Sequence, residues 1–115
     1  PMSSMRETIY NSLKDAGLTV YLPGQAEGKC TAPYCIVTDA GTIQTGRTTG
    51  RRVYIITGCV PESRPLDLRV LMGQIRTALI ANKHIRADGG VSEEHFDEDH
   101  EAICAAIEYS ALCAI

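Results

Sequence analysis

The chain has 115 residues, 44% apolar and 22% charged, with a formal net charge of −3. That length suits one domain with its own core, so residues 1–115 are read as a single domain, and the composition excludes disorder and a collagen repeat. No apolar run approaches the roughly 20 residues needed to cross a bilayer. Arg6 and Glu7 interrupt the first helical pattern, so a soluble intracellular protein without membrane contact is expected.

Ser4 followed by Glu7 fits a capping box, and Met5, Ile9, Leu13 and Ala16 recur on one face, which predicts a helix over residues 4–16 closed by Gly17. Residues 18–22 can run extended. Pro23, Gly24, Gly28 and Pro33 mark the following stretch as loop. Tyr34-Cys35-Ile36-Val37-Thr38 and the β-branched run from Arg52 to Val60 read as two strands of a hairpin. Between them, residues 40–50 hold Gly41, Gly46, Gly50 and four threonines, too long and too polar for a tight packed turn. They are expected to project as an arm, with Arg47, Arg51 and Arg52 at its base.

Pro65 suits a first helical position, and Leu68, Leu71, Met72, Ile75, Ala78 and Leu79 then recur at three and four, predicting a helix over residues 65–82. The end of the chain alternates with a period of two from Ile103 to Ile115, which favours a long strand, although its alanines would also suit a helix. Its antiparallel partner is expected over residues 91–96, across a turn at Asp97-Glu98-Asp99 and after a turn at Asp88-Gly89-Gly90. The fold class expected is α+β: a mainly antiparallel sheet of about four strands packed against two helices, with a long projecting hairpin arm.

Charge is divided along the chain. Residues 1–88 hold all eleven Lys and Arg against seven acids, a balance of +4, while residues 89–115 hold seven acids and no Lys or Arg, a balance of −7. One reading is a solvated acidic hairpin. The other is a head-to-tail contact between copies, in which Arg47, Arg51 and Arg52 of one meet Glu93, Glu94, Asp97, Glu98 and Asp99 of the next, and the rotation closes a ring.

The five cysteines, Cys30, Cys35, Cys59, Cys104 and Cys113, are odd in number and lie among apolar neighbours, so free buried thiols are expected. His95, Asp97, Asp99 and His100 could in principle hold a divalent cation, but alternate strand residues face opposite ways and no CxxC or HxxxH spacing occurs, so no metal or cofactor is expected. Cys30 and Cys35 are a weaker zinc signal still. GxSxG, a phosphate loop and GxGxxG are all lacking, so no enzyme is expected; a thiol enzyme would draw on Cys35 or Cys59 with His84 or His95. Three arginines and few aromatic residues allow at most a passing contact with nucleic acid.

The amphipathic first helix, the loop, the strand Ala32-Pro33-Tyr34-Cys35-Ile36-Val37 opening on Pro-Tyr, the Gly/Thr-rich connection, the strand from Arg52 to Gly58, the second helix and the alternating final strand make a familiar order. Over residues 4–115 it resembles the small tail-completion or tail-terminator proteins of long-tailed bacteriophages. The resemblance implies a non-enzymatic ring, usually of six copies, that sits on the tail tube, stops its polymerisation and offers a surface to the head-completion or connector protein. It places the chain in the virion, at the head-tail junction, after assembly in the host cytoplasm. The acidic cluster would then either meet a neighbouring subunit or face the lumen, where negative charge lets DNA pass. Two readings from other classes stand beside it: a small cytosolic thiol- or zinc-dependent enzyme, and a generic adaptor domain that uses a sheet edge.

Overall fold

The structure, a computed structural model, describes residues 5–114. The Ser4 cap and the terminal Ile115 of the alternating run lie outside the described residues. The first helix, α1, spans Met5–Asp15 and buries Ile9 and Leu13. It ends where Gly17 takes φ +86°, the left-handed conformation that suits glycine. Two residues, Val20–Tyr21, then form β1, which pairs in parallel with β2, Tyr34–Gln44. β2 turns back into β3, Thr49–Pro61, and α2 follows over Asp67–Leu79. The chain closes with β4, Ile85–Ala87, β5, His95–Asp97, and β6, Ala102–Ala114.

The fold is α+β, as the alternation and the two amphipathic patterns required, but the sheet has six strands and is mixed. Its order is β1-β2-β3-β6-β4, with β5 on the same edge of β6 as β4. The long strand β6 enters beside β3, so the centre of the sheet is the antiparallel pair of two thirteen-residue strands. Two features account for the differences from the expected four antiparallel strands. β1 is too short to carry a pattern of its own. The partner of β6 is one edge interrupted by a bulge: Ala87 faces Tyr109 and His95 faces Cys104, an advance of eight residues against five. Between them, the Asp88 and Ser92 amides still donate to the Glu108 and Ala106 carbonyls. Gly89, at φ +118°, lies in the looped-out stretch.

The segment expected to project as an arm continues the sheet instead. Thr42, Ile43 and Gln44 pair with Arg52, Arg51 and Gly50, and β6 flanks the other side of β3 as far as the Thr49–Ala114 pair. Only residues 45–48 turn, with the Thr45 and Gly46 amides both donating to the Thr49 carbonyl. Gly41, at φ +98°, accommodates a β-bulge in which Ala40 is the extra residue. Local composition suggests a loop, but the hairpin pairing of residues 42–44 with 50–52 is backed by β6 along the far side of β3, and threonine is well suited to such a strand. α2 is shorter than the expected 65–82, because Pro65 and Leu66 lead into it and the Asn82 side chain accepts from the His84 amide in a turn beyond its end.

Both helices cover one face of the sheet. Ile9 and Leu13 of α1, and Leu68, Leu71, Met72, Ile75 and Leu79 of α2, pack onto Val37, Ile56, Ile107 and their neighbours. On the other face the loop over residues 22–33 lies across one end only, where Cys30, Tyr34, Cys59, Ala102 and Cys104 form a second, smaller core. Toward the opposite end of that face Ile43 and Leu112 stand exposed among the described residues. The molecule is accordingly long and narrow, 48 × 25 × 23 Å, with its long axis near the length of β3 and β6.

Candidate functional site

Of the basic and acidic candidates, Arg47 and the Asp97–Asp99 turn stand at opposite ends of that axis, while Glu93 and Glu94 lie beside the middle of β6. Arg47 occupies the exposed turn beyond Gln44, at the end where Thr49 pairs with Ala114. Asp97, Glu98 and Asp99 lie at the other end of β6, where Asp97 pairs with Ala102. Twelve strand residues separate the ends, about 40 Å at the ordinary rise per residue.

The three arginines behave differently. Among the described residues Arg47 has no ion-pair partner. Arg51 lies on the face away from the helices and donates through Nε to Ser110 Oγ at 2.7 Å and through its terminal nitrogen to the Ser110 carbonyl at 3.1 Å. Arg52, on the helix face, grips Asp39 with Nε and a terminal nitrogen, the closest contact being 2.7 Å, and reaches Thr42 Oγ1. That hydrogen-bonded pairing holds the Asp39 carboxyl below its ordinary range. Arg51 and Arg52 therefore knit the open end of the sheet together. Ser110 and Asp39 went unrecognised in the sequence, because their partnership depends on strand register.

The acids divide as well. Glu93, Glu94, Glu98 and Asp99 are exposed. Glu94 shares a groove of about 390 Å³ with Arg69 and Arg76 of α2, floored by Leu68, Met72 and Ala105. Asp97 accepts from His100 Nδ1 at 2.8 Å, and the other ring nitrogen of His100 is 3.2 Å from the Ala26 carbonyl. Burial pushes the Asp97 carboxyl up, but the hydrogen bond and charge of His100 outweigh it and leave the group below its usual range; the same bond raises His100. The considered cation ligands thus part company: Asp97 and His100 hold each other, while His95 lies opposite Cys104. Among the described residues no three His, Cys, Asp or Glu converge as ligands would.

Beside the basic end lies an apolar patch. Ile43, Arg51 and Leu112 form one cross-strand row on the uncovered face, and Ile43 and Leu112 are 59% and 72% exposed. The exposed apolar strip is thus two side chains flanking Arg51, which is itself bonded to Ser110.

All five cysteines are free, four of them buried. Cys35 is sealed in the main core, which pushes its thiol up to about 12, and His84 lies in the exposed turn between α2 and β4. Cys59 and Cys104 face each other across β3 and β6, with His95 next in the row. Their sulfurs share a hydrogen bond of 2.8 Å. That bond opposes ionisation of Cys59 and favours it at Cys104. The proximity of Cys104 to Cys59 went unrecognised in the sequence for the same reason as Ser110 and Asp39.

Among the described residues no helix is long and apolar enough to cross a membrane. No family model matches the sequence, and no curated protein is significantly similar to it.

Proposed function

We propose that the chain is a structural subunit that assembles head to tail into a closed ring, acting by assembly rather than by catalysis, at the head-tail junction of a long-tailed phage. One observation carries the assembly: the basic tip and the acidic turn sit at opposite ends of a molecule 48 Å long. At physiological salt, charges interact over about 8 Å, so the two patches of one copy do not neutralise each other. A second copy brings them together, and identical subunits that join two different patches form a ring when the rotation closes. The apolar pair Ile43 and Leu112 beside the basic tip gives that contact a desolvated centre.

The phage setting rests on the resemblance in element order, which supplies six as the copy number, the tail tube protein and the head-completion protein as further partners, and the virion as location. Contact with DNA in this reading is passing, along the ring's lumen.

The test is the mass of the purified protein by light scattering at low and high salt. A mass near six subunits that falls as salt rises supports the ring. Arg47→Glu and Asp99→Lys should each weaken association, and an equimolar mixture should recover a heterotypic contact. A monomer at both salts, or a mass indifferent to both reversals, removes the head-to-tail contact.

A further inference from the structure

The small core beneath residues 22–33 contains two thiols that the assembly reading leaves unused. Cys59 and Cys104 are directly opposite on β3 and β6, 1% and 2% exposed, with sulfurs 2.8 Å apart. Their register is the one a bond between them needs. The Ala106 carbonyl accepts from the Ser92 amide and the Ala106 amide donates to Ser92 Oγ, so residue 106 turns its backbone toward the sheet edge and away from β3. Two residues earlier on the same strand, Cys104 does likewise, and the Cys59–Cys104 pair is a non-hydrogen-bonded one. In such pairs the Cα atoms approach to about 4.5 Å, inside the span of roughly 4.4 to 6.8 Å that a disulfide bridges. The two strands need no rearrangement to join.

We propose that Cys59 and Cys104 are a reversible redox pair that closes to a cross-strand disulfide with a peroxide as oxidant, pinning β3 to β6. The Cys104 thiol, losing its proton as it reacts, attacks one peroxide oxygen through sulfur; the O–O bond breaks, and hydroxide leaves with that proton as water. The Cys59 sulfur then attacks the sulfur of the resulting sulfenic acid, the S–O bond breaks, and the second oxygen departs as water with the remaining protons. Two thiols and one peroxide become one disulfide and two waters, the thiols having lost two electrons to the peroxide. Burial admits a small oxidant in preference to a bulky disulfide. Cys30 lies in the same core, but its sulfur is engaged with the Ala32 carbonyl at 3.3 Å. The crosslink stands independently of the ring.

The experiment treats the folded protein with hydrogen peroxide, blocks remaining thiols, and maps the linked peptides by mass spectrometry without reduction. The expected product has lost two hydrogens, joins the Cys59 and Cys104 peptides within one chain, returns to the starting mass with dithiothreitol, and melts several degrees higher than the reduced form. Cys30→Ala should leave the crosslink intact, whereas Cys59→Ala and Cys104→Ala should abolish it. Because either alanine could disturb the core, the wild-type peptide map is decisive by itself. A link through Cys30, a bond formed only after denaturation, or dimers joined through Cys113 would overturn the pair.

Discussion

Met72 lies where a side chain on Gly58 would have to stand: a Cβ built on Gly58 falls 2.6 Å from Met72 Sδ and 3.1 Å from Leu71 Cδ2. Gly58 faces α2 from the middle of β3, and its bare Cα lets the helix settle onto the sheet. Gly58→Val should therefore destabilise the fold by about 1–3 kcal/mol through overpacking. Gly58→Ala should cost less, since the Met72 thioether is flexible and alanine recovers some chain entropy. Urea unfolding of the two variants checks the order; a valine variant as stable as wild type would mean that α2 rides looser than the structure has it.

Arg47 and Arg52 lie five positions apart in the chain and differ in their surroundings. Arg47→Glu should reduce self-association and leave the melting temperature near that of wild type, because Arg47 is exposed and, among the described residues, makes no ion pair. Arg52→Glu should instead lower the melting temperature, since it sets a second carboxylate against Asp39 and leaves Thr42 without its donor. Paired measurements of mass and melting on both variants separate the two roles, and a stable Arg52→Glu protein would remove the Asp39 clamp.

His100 makes the acidic end sensitive to pH. Protonated, its ring can donate to both Asp97 and the Ala26 carbonyl; neutral, it keeps one proton for two acceptors. Its pKa is raised from 6.5, first by the Asp97 hydrogen bond, so its contribution is complete below the unfolded value and fades as pH rises through the higher folded value. Asp97, held below its ordinary range, contributes above the unfolded carboxylate value and loses that contribution on acidification. The tie to residues 22–33 should be firmest between the two titrations. Hydrogen exchange at the Cys30 amide, which donates to the His100 carbonyl at 2.7 Å, should quicken on the alkaline side beyond the intrinsic pH effect. His100→Gln should flatten that excess.

Ile107 lies in the main core, 1% exposed, on the central strand between Ile56 and the sheet edge. Ile107→Ala should cost about 2–5 kcal/mol by deleting buried carbons beneath the helices. Chemical denaturation reads this directly, and a loss below 1 kcal/mol would place the residue outside the main core.

Both helices, the alternating last strand and the charge division were legible because each is a local property: a periodicity of 3.6 or 2 follows from which face meets water, and net charge follows from composition alone. The acidic turn was readable for the same reason, whereas Arg47, expected at the base of an arm, stands in the turn at its tip, because strand pairing runs on to Gln44 and Gly50. Register was not readable. Which residue faces which across β3 and β6 is settled by pairing between segments some forty-five residues apart, through backbone hydrogen bonds that any sequence can make. Tertiary structure therefore decided that residues 42–44 and 49–50 continue the sheet, that Arg51 and Arg52 bond Ser110 and Asp39, and that Cys59 meets Cys104. It also decided that Arg47 and the Asp97–Asp99 turn lie at opposite ends of one long sheet, because a thirteen-residue strand holds its two ends apart by its own rigid rise.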